Sequence, residues 1–166
     1  MTVTGDVHDF DAFAGAWTFT NKRLKQRGVG STDWDEFPAA SCTTLHLGGI
    51  VNVDEVAFPT KGWSGITFRH FDLVKKQWSI YWVNSRTGAM FPPVVGGFQG
   101  KTGDFYGEDT DDGKPVKVRF HWTVLDADHL RWEQSFSYDG ATWELNWMNE
   151  LTRADPSGCV NGRPTT

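Results

Sequence analysis

No stretch of this 166-residue chain carries a block of positive charge. The net charge is -5 with both signs interspersed, so nucleic acid is not an expected partner, because phosphate neutralisation needs clustered Lys and Arg. The densest basic run, Lys22-Arg23-Leu24-Lys25-Gln26-Arg27, reads as a solvated strand end and loop. No apolar run approaches the ~18 residues of a membrane span. The N-terminus, Met1-Thr2-Val3-Thr4-Gly5-Asp6, lacks the basic and apolar regions of a signal peptide, so a cytoplasmic location with no membrane partner is the expectation. The two cysteines, Cys42 and Cys159, form no disulfide framework and fit no zinc spacing.

Catalytic signatures are equally scarce. The histidines, His8, His46, His70, His121 and His129, form neither an i, i+2 pair nor His-Glu-x-x-His, so no metal site and no cofactor are expected. There is no Gly-x-Ser-x-Gly elbow and no dinucleotide fingerprint. Gly100-Lys101-Thr102 lacks the spacing of a phosphate loop and precedes a strand where that motif needs a helix.

Aromatics and glycine are what the chain has in quantity, with nine Trp, twelve Phe and eighteen Gly. A short amphipathic helix is expected over Asp6–Ala14, with Asp6 as N-cap and Gly15 just past its end. Ten strand-like runs follow: Ala16–Leu24, Asp33–Leu47, Ile50–Phe58, Trp63–Phe71, Trp78–Asn84, Val94–Gln99, Asp104–Thr110, Pro115–Leu125, His129–Tyr138 and Thr142–Arg153. A meander of that length closes on itself. The fold class is therefore all-β, an antiparallel up-and-down barrel forming one domain over 1–153, with a disordered tail over 154–166.

Two Asp-Gly pairs, at 112–113 and 139–140, read as type I′ hairpin turns. Two-residue loops there set Phe105 opposite Phe120, Gly107 opposite Val118, Phe136 opposite Trp143, Gln134 opposite Leu145, and Trp132 opposite Trp147. Both registers gather Phe105, Val118, Phe120, Trp122, Trp132, Gln134, Phe136, Trp143, Leu145 and Trp147 on one wall. They leave Arg119, His121, Glu133, Glu144 and Asn146 outside. A four-residue loop aligns Ile66, Phe68 and His70 with Val83, Tyr81 and Ser79. The opposite face of those two strands, with Arg69, Phe71, Trp78, Ile80 and Trp82, is as aromatic, so either face can be internal. The leftover face would suit a homodimer contact.

A short helix, then Gly15-Ala16-Trp17 opening the first strand, then ten antiparallel strands ending on Arg153, resembles the calycin group of lipocalins, fatty-acid-binding proteins and nitrobindin-like barrels. The lipocalin resemblance implies that Trp17 sits at a closed end with Arg153 packed across it, a cation–π contact of about 0.5–2 kcal/mol, and that a ligand enters by the opposite mouth. Closer still, the chain resembles a bacterial lipocalin-like family known as a domain of unknown function, over Phe10–Arg153. The stretches that carry this are Phe10-Asp11-Ala12-Phe13-Ala14-Gly15-Ala16-Trp17, Gln77-Trp78-Ser79-Ile80-Tyr81-Trp82, Pro92-Pro93-Val94-Val95-Gly96, Arg131-Trp132-Glu133-Gln134-Ser135-Phe136-Ser137 and Trp143-Glu144-Leu145-Asn146-Trp147. That family implies a fold and no activity. Nitrobindin-like barrels hold haem through a His near the C-terminal strands, and Thr142–Arg153 contains none, so haem is not carried over.

The expected function is binding of a small hydrophobic molecule, aromatic or polyketide-like, against Phe105, Phe120, Trp122, Trp132, Gln134, Phe136, Trp147, Tyr81 and Trp82. Asn21, Asn84 and Asn149 read equally as further polar points inside the barrel or as capped strand-end residues. An alternative is a cofactor-independent cyclase, isomerase or hydratase acting in the same cavity, with His70, Arg119 and Glu133 as acid/base candidates. A second alternative is a solid-cored, dimeric interaction protein.

Overall fold

In a computed structural model, which describes residues 3–165, ten strands close into one antiparallel barrel. They are β1 (Gly15–Leu24), β2 (Trp34–His46), β3 (Val51–Phe58), β4 (Trp63–Asp72), β5 (Gln77–Asn84), β6 (Val94–Gln99), β7 (Thr102–Asp111), β8 (Lys114–Val124), β9 (His129–Ser137) and β10 (Glu144–Arg153). Each pairs with its neighbours in sequence, and β1 pairs with β10, so the barrel has no open edge. Met1, Thr2 and Thr166, at the ends of the expected domain and tail, lie outside the described residues.

The two Asp-Gly pairs behave differently. Asp112 and Gly113 both have positive φ (49° and 76°), as a type I′ turn requires, and the expected pairs Phe105–Phe120 and Gly107–Val118 form. Asp139 is instead a side-chain acceptor. Its carboxylate takes the backbone N–H groups of Ala141 and Thr142 at 2.8 Å and the Thr142 hydroxyl at 2.6 Å. That local network replaces the tight turn with a longer loop. The β9–β10 register shifts accordingly: Phe136 lies opposite Glu144, and Ser135 opposite Leu145. A bulge between Leu145 and Trp147 then places Gln134 opposite Trp147 and Trp132 opposite Asn149. Because a bulge reverses the in–out alternation beyond it, Trp143 and Leu145 leave the expected inner wall while Trp147 stays in it. Asn146, expected outside, is fully buried and accepts from Gln134 Nε2 at 2.8 Å.

The expected N-terminal helix reduces to turns and a 3₁₀ segment over Asp11–Phe13. One tight turn brings Phe10 and Phe13 to the same side, and both rings enter the end of the barrel. Phe10 meets Trp78 and Phe98 edge-on at 4.9 and 5.4 Å, and Phe13 meets Trp122 at 4.9 Å. Trp17 lies beneath them, 1% exposed, its indole N–H donating to the Phe13 carbonyl at 2.8 Å. Arg153 is its cross-strand partner, with the guanidinium 4.2 Å over the indole. The same guanidinium donates to the carbonyls of Ala12 and Ala14 at 2.9 Å and Ala127 at 3.0 Å, and sits 3.2 Å from Asp128.

The tail is a correction. Residues after Arg153 form a 3₁₀ turn (Pro156–Gly158) capped by the Asp155 carboxylate, then a small hairpin of β11 (Cys159–Val160) and β12 (Arg163–Pro164). Cys159 joins Cys42 of β2 in a disulfide, with the Cα atoms 5.8 Å apart. Two lone cysteines thus make a single clasp where no framework was expected. Such bonds are rare in a reducing cytoplasm, so this pair and the cytoplasmic expectation do not agree. No helix among the described residues is long and apolar enough to cross a membrane.

Arg153→Met keeps an apolar stem over Trp17 and removes every carbonyl contact. The urea midpoint, followed by tryptophan fluorescence, is expected to fall by the equivalent of about 1–3 kcal/mol; an unchanged midpoint refutes the lock. In Cys159→Ser, amides after Arg153 should exchange faster while those of β1 and β10 keep their protection.

Candidate functional site

Plugging one end leaves a cavity open at the other. It has a volume of about 220 Å³ and runs from Arg69, Ile80, Trp122 and Leu151 near the plug to Arg23, Trp63 and Arg86 at the mouth. Its wall is aromatic because inward positions on β1, β3, β5, β8, β9 and β10 carry Phe19, Phe58, Trp82, Phe120, Trp132, Phe136 and Trp147. Trp132 is the hub, edge-on to Phe120 at 5.1 Å and to Trp147 at 5.6 Å. Trp82 lies flat against its own wall only because β4 has Gly65 beneath it; a Cβ at that position would stand 2.2 Å from the indole.

Most of the expected binding residues line this cavity: Phe120, Trp122, Trp132, Gln134, Phe136, Trp147 and Trp82. Phe105 faces inward but is fully buried in the plug, packed on Phe10 and Phe98. Tyr81 is on the outside, since the internal face of β4 and β5 is the one with Thr67, Arg69, Ile80 and Trp82. His70 is outside with it, stacked on the Tyr81 ring at 6.0 Å. Arg119 and Glu133 are also outside, in a surface depression with His121 and Asp104, where His121 Nδ1 lies 2.8 Å from the Asp104 carboxylate. None of the three acid/base candidates faces the cavity. In-out alternation sends odd and even positions of one strand to opposite faces, and each of the three falls on the wrong side.

The cavity carries the expected polar groups Asn21, Gln134 and Asn149, and with them an ion pair, of which Asp54 was not expected. Asn21, fully buried, accepts from the Trp147 indole N–H at 2.9 Å and from Asn149 at 3.4 Å. It joins Asn149 and Gln134 in a polar strip down one side of the lining. On the opposite wall, Asp54 of β3 and Arg69 of β4 form a buried ion pair 3.4 Å apart, and Arg69 also donates to Asn52. Burial raises the Asp54 pKa, with Arg69 opposing, and burial likewise lowers that of Arg69, with Asp54 opposing. The signal available in sequence was the alternation itself, which puts Asp54 on the same face as Val56 and Phe58, and Arg69 on the same face as Phe71.

At the mouth, Arg23 lies over Trp147 at 4.5 Å and Arg86 over Trp63 at 4.4 Å. Burial, then the charges of Arg27 and Arg86, hold the Arg23 guanidinium down to about 10, so it remains charged at neutral pH. Arg27 is tied off by Asp111, which accepts at 3.0 and 2.6 Å and also takes the Tyr138 hydroxyl at 2.8 Å. This clasp joins the β1–β2 loop, the β7–β8 hairpin and the β9–β10 loop. Gly28 N–H, bonded to the Glu144 carboxylate at 2.9 Å, reinforces it.

No protein-family model matches the chain, and no curated protein matches it. Among solved structures, a redesigned β barrel superposes with a TM-score of 0.50 at 8% identity, over 93% of this chain and 100% of that one. At that identity the likeness bears on the fold alone. A closed ten-stranded antiparallel barrel of this kind fits the calycin architecture.

Burial pushes the Asp111 carboxyl up, but the bonds from Arg27 and Tyr138 outweigh it and leave the pKa below the ordinary 3.8. A carboxylate depressed in the folded state stabilises fully above its unfolded pKa, and that contribution is lost as pH falls through the folded value. Asp111→Asn is therefore expected to cost about 1–2 kcal/mol at pH 7. The difference from the wild type should shrink steadily below about pH 4, as read by urea unfolding at each pH. A difference independent of pH would mean that the carboxylate charge is not what holds the clasp.

Proposed function

We propose that this barrel binds a small, flat, hydrophobic molecule, aromatic or polyketide-like, in the cavity behind the Arg23–Arg86 mouth. The observation that carries this reading is the open cavity of about 220 Å³ with aromatic side chains on most of its wall. It is smaller than most drug-sized ligand pockets, which run about 300–1,000 Å³, and larger than the apolar cavity of about 150 Å³ that takes up benzene. A fused two-ring system matches that space, with any further portion lying in the mouth. The polar strip of Asn21, Gln134 and Asn149 would orient such a ligand.

A filled barrel serving only as an interaction protein fits this cavity less well. Turnover by His70, Arg119 or Glu133 fits the geometry poorly, since all three are outside. Membership of the bacterial lipocalin-like family is proposed on the stretches Phe10–Trp17, Gln77–Trp82 and Arg131–Ser137, each of which occupies a structural position in the plug or wall.

N-phenyl-1-naphthylamine tests the reading, because its emission rises on entering an apolar site. One saturable site per chain is expected, with quenching of the wall tryptophans. Gly65→Ala, which displaces Trp82 into the lumen, should weaken binding at least about tenfold. Absence of any saturable signal in the wild type refutes the binding function, and undiminished binding in Gly65→Ala moves the site out of the cavity.

A further inference from the structure

Arg23 and Arg86 are the two cations of the cavity lining that no carboxylate neutralises. The other arginines there are paired, Arg27 with Asp111 and Arg69 with Asp54. Among the described residues, neither Arg23 nor Arg86 has an ion-pair partner, and neither guanidinium donates a hydrogen bond to the chain. What holds them is aromatic, since Arg23 stands 4.5 Å over Trp147 and Arg86 stands 4.4 Å over Trp63. Those two rings belong to one row, because Phe58 lies 4.2 Å from Trp63 and 6.3 Å from Trp147. The two cations therefore sit at the ends of a three-ring row. A ring face meets only the charge of a guanidinium; its N–H donors lie in its own plane and need an oxygen.

Gathering like charge at this point is unfavourable. Arg23 is half-buried, and burial first, then the charges of Arg27 and Arg86, disfavour its charged form. The carboxylates that act on it are already in use. Asp111 takes Arg27 and Tyr138, and Asp35 takes Lys61 at 2.6 Å. Two cations that repel one another, with their donors unused, fit one anionic oxygen group between them. A carboxylate offers two oxygens in a plane, the geometry that a guanidinium pairs with best. A group with two charges fits less well, because Glu108 and Asp109 belong to the same lining.

We infer that Arg23 and Arg86 form a carboxylate-recognition site at the mouth of the cavity, so that the bound molecule is an aromatic monocarboxylate, held ring-first with its carboxylate at the rim. This rests on the binding function proposed above and names the chemical class of its ligand. The order suits the space. A cavity of about 220 Å³ takes the ring system, and the ionic group stays at the opening, where it keeps part of its hydration and avoids the large penalty of burying a charge.

The test is displacement of N-phenyl-1-naphthylamine from the intact chain at neutral pH by 2-naphthoate, 2-naphthamide and 2-naphthylmethylammonium. The three share one ring system and carry a negative charge, no charge and a positive charge. 2-Naphthoate is expected to displace the dye at least about tenfold more effectively than the amide, and the ammonium, which meets like charge, should be the weakest. In the double variant Arg23→Met with Arg86→Met, apolar stems still cover Trp147 and Trp63, and the naphthoate-to-amide ratio should fall to about one. Circular dichroism checks the fold. A ratio near one in the wild type, or a ranking led by the ammonium, overturns the inference while leaving the binding function standing. A ratio that survives in a folded double variant overturns it too, since the anion then has another partner. If that variant does not fold or no longer takes up the dye, the wild-type ranking decides alone. Failure of the dye to bind the wild type is the separate outcome that sinks the binding function.

Discussion

The guanidinium of Arg153 holds the closed end together. It covers the Trp17 indole, it is the cross-strand partner of that residue across the β1–β10 seam, and it takes carbonyls from the N-terminal turn and from the β8–β9 loop. The seam is where the first and last strands of a meander must find each other. It is the pairing with the greatest sequence separation and the largest loop-closure cost. A residue that bonds the last strand to the first strand's own lead-in segment fixes both ends of the chain at one point. The Cys42–Cys159 disulfide then repeats the arrangement one strand further round, tying the segment after β10 to β2.

Closing one end makes the barrel asymmetric, and the rest of its interior follows from that. Phe10, Phe13, Phe98, Phe105 and Trp78 pack as an ordinary core. Past Trp122 there is no further side chain to bring in from above, so the rings of β8 to β10 line a space instead of filling it. Arg69 sits at that boundary, its guanidinium 5.0 Å from the Phe10 ring of the plug and its side chain part of the cavity lining. The polar residues of the interior fall on two opposite walls, Asp54 and Arg69 on one, Asn21, Gln134 and Asn149 on the other, with aromatic rings between.

How much of this was legible in the sequence depends on how local the information is. The strand runs and the up-and-down order were legible, because period-two alternation and turn residues act over a few positions; the Trp17–Arg153 pair was expected only from the resemblance to lipocalins. The inner wall of β8 followed from Asp112-Gly113, whose backbone leaves one register available. Asp139-Gly140 looks the same on paper, but Ser137 and Thr142 give Asp139 side-chain partners that outcompete the tight turn. The bulge near Asn146 then reverses the faces of Trp143 and Leu145. The internal face of β4 and β5 was not legible, since Phe68 and Tyr81 on one side match Phe71, Trp78 and Trp82 on the other in apolar content. What decides it is that Phe71 and Trp78 complete the plug around Phe10, a long-range fact absent from either strand alone. The tail was misread because composition cannot register a single covalent bond to β2.

The burial of Arg69 bears on which way a ligand points. Had the floor been apolar, a flat ring in this cavity would have no preferred end, since rings stack on Trp132 and Trp147 equally well after a half-turn. A buried ion pair at one end breaks that symmetry, because the two ends of the cavity then differ in polarity. The mouth reinforces the same choice. Arg23 and Arg86 are already stacked on Trp147 and Trp63, so they present charged edges to whatever emerges and leave the ring faces for the interior. An amphipathic guest would therefore meet a buried ion pair at the bottom, aromatic faces along its length and guanidinium at the rim. The barrel that Arg153 closes supplies these three chemistries in a fixed order along one axis.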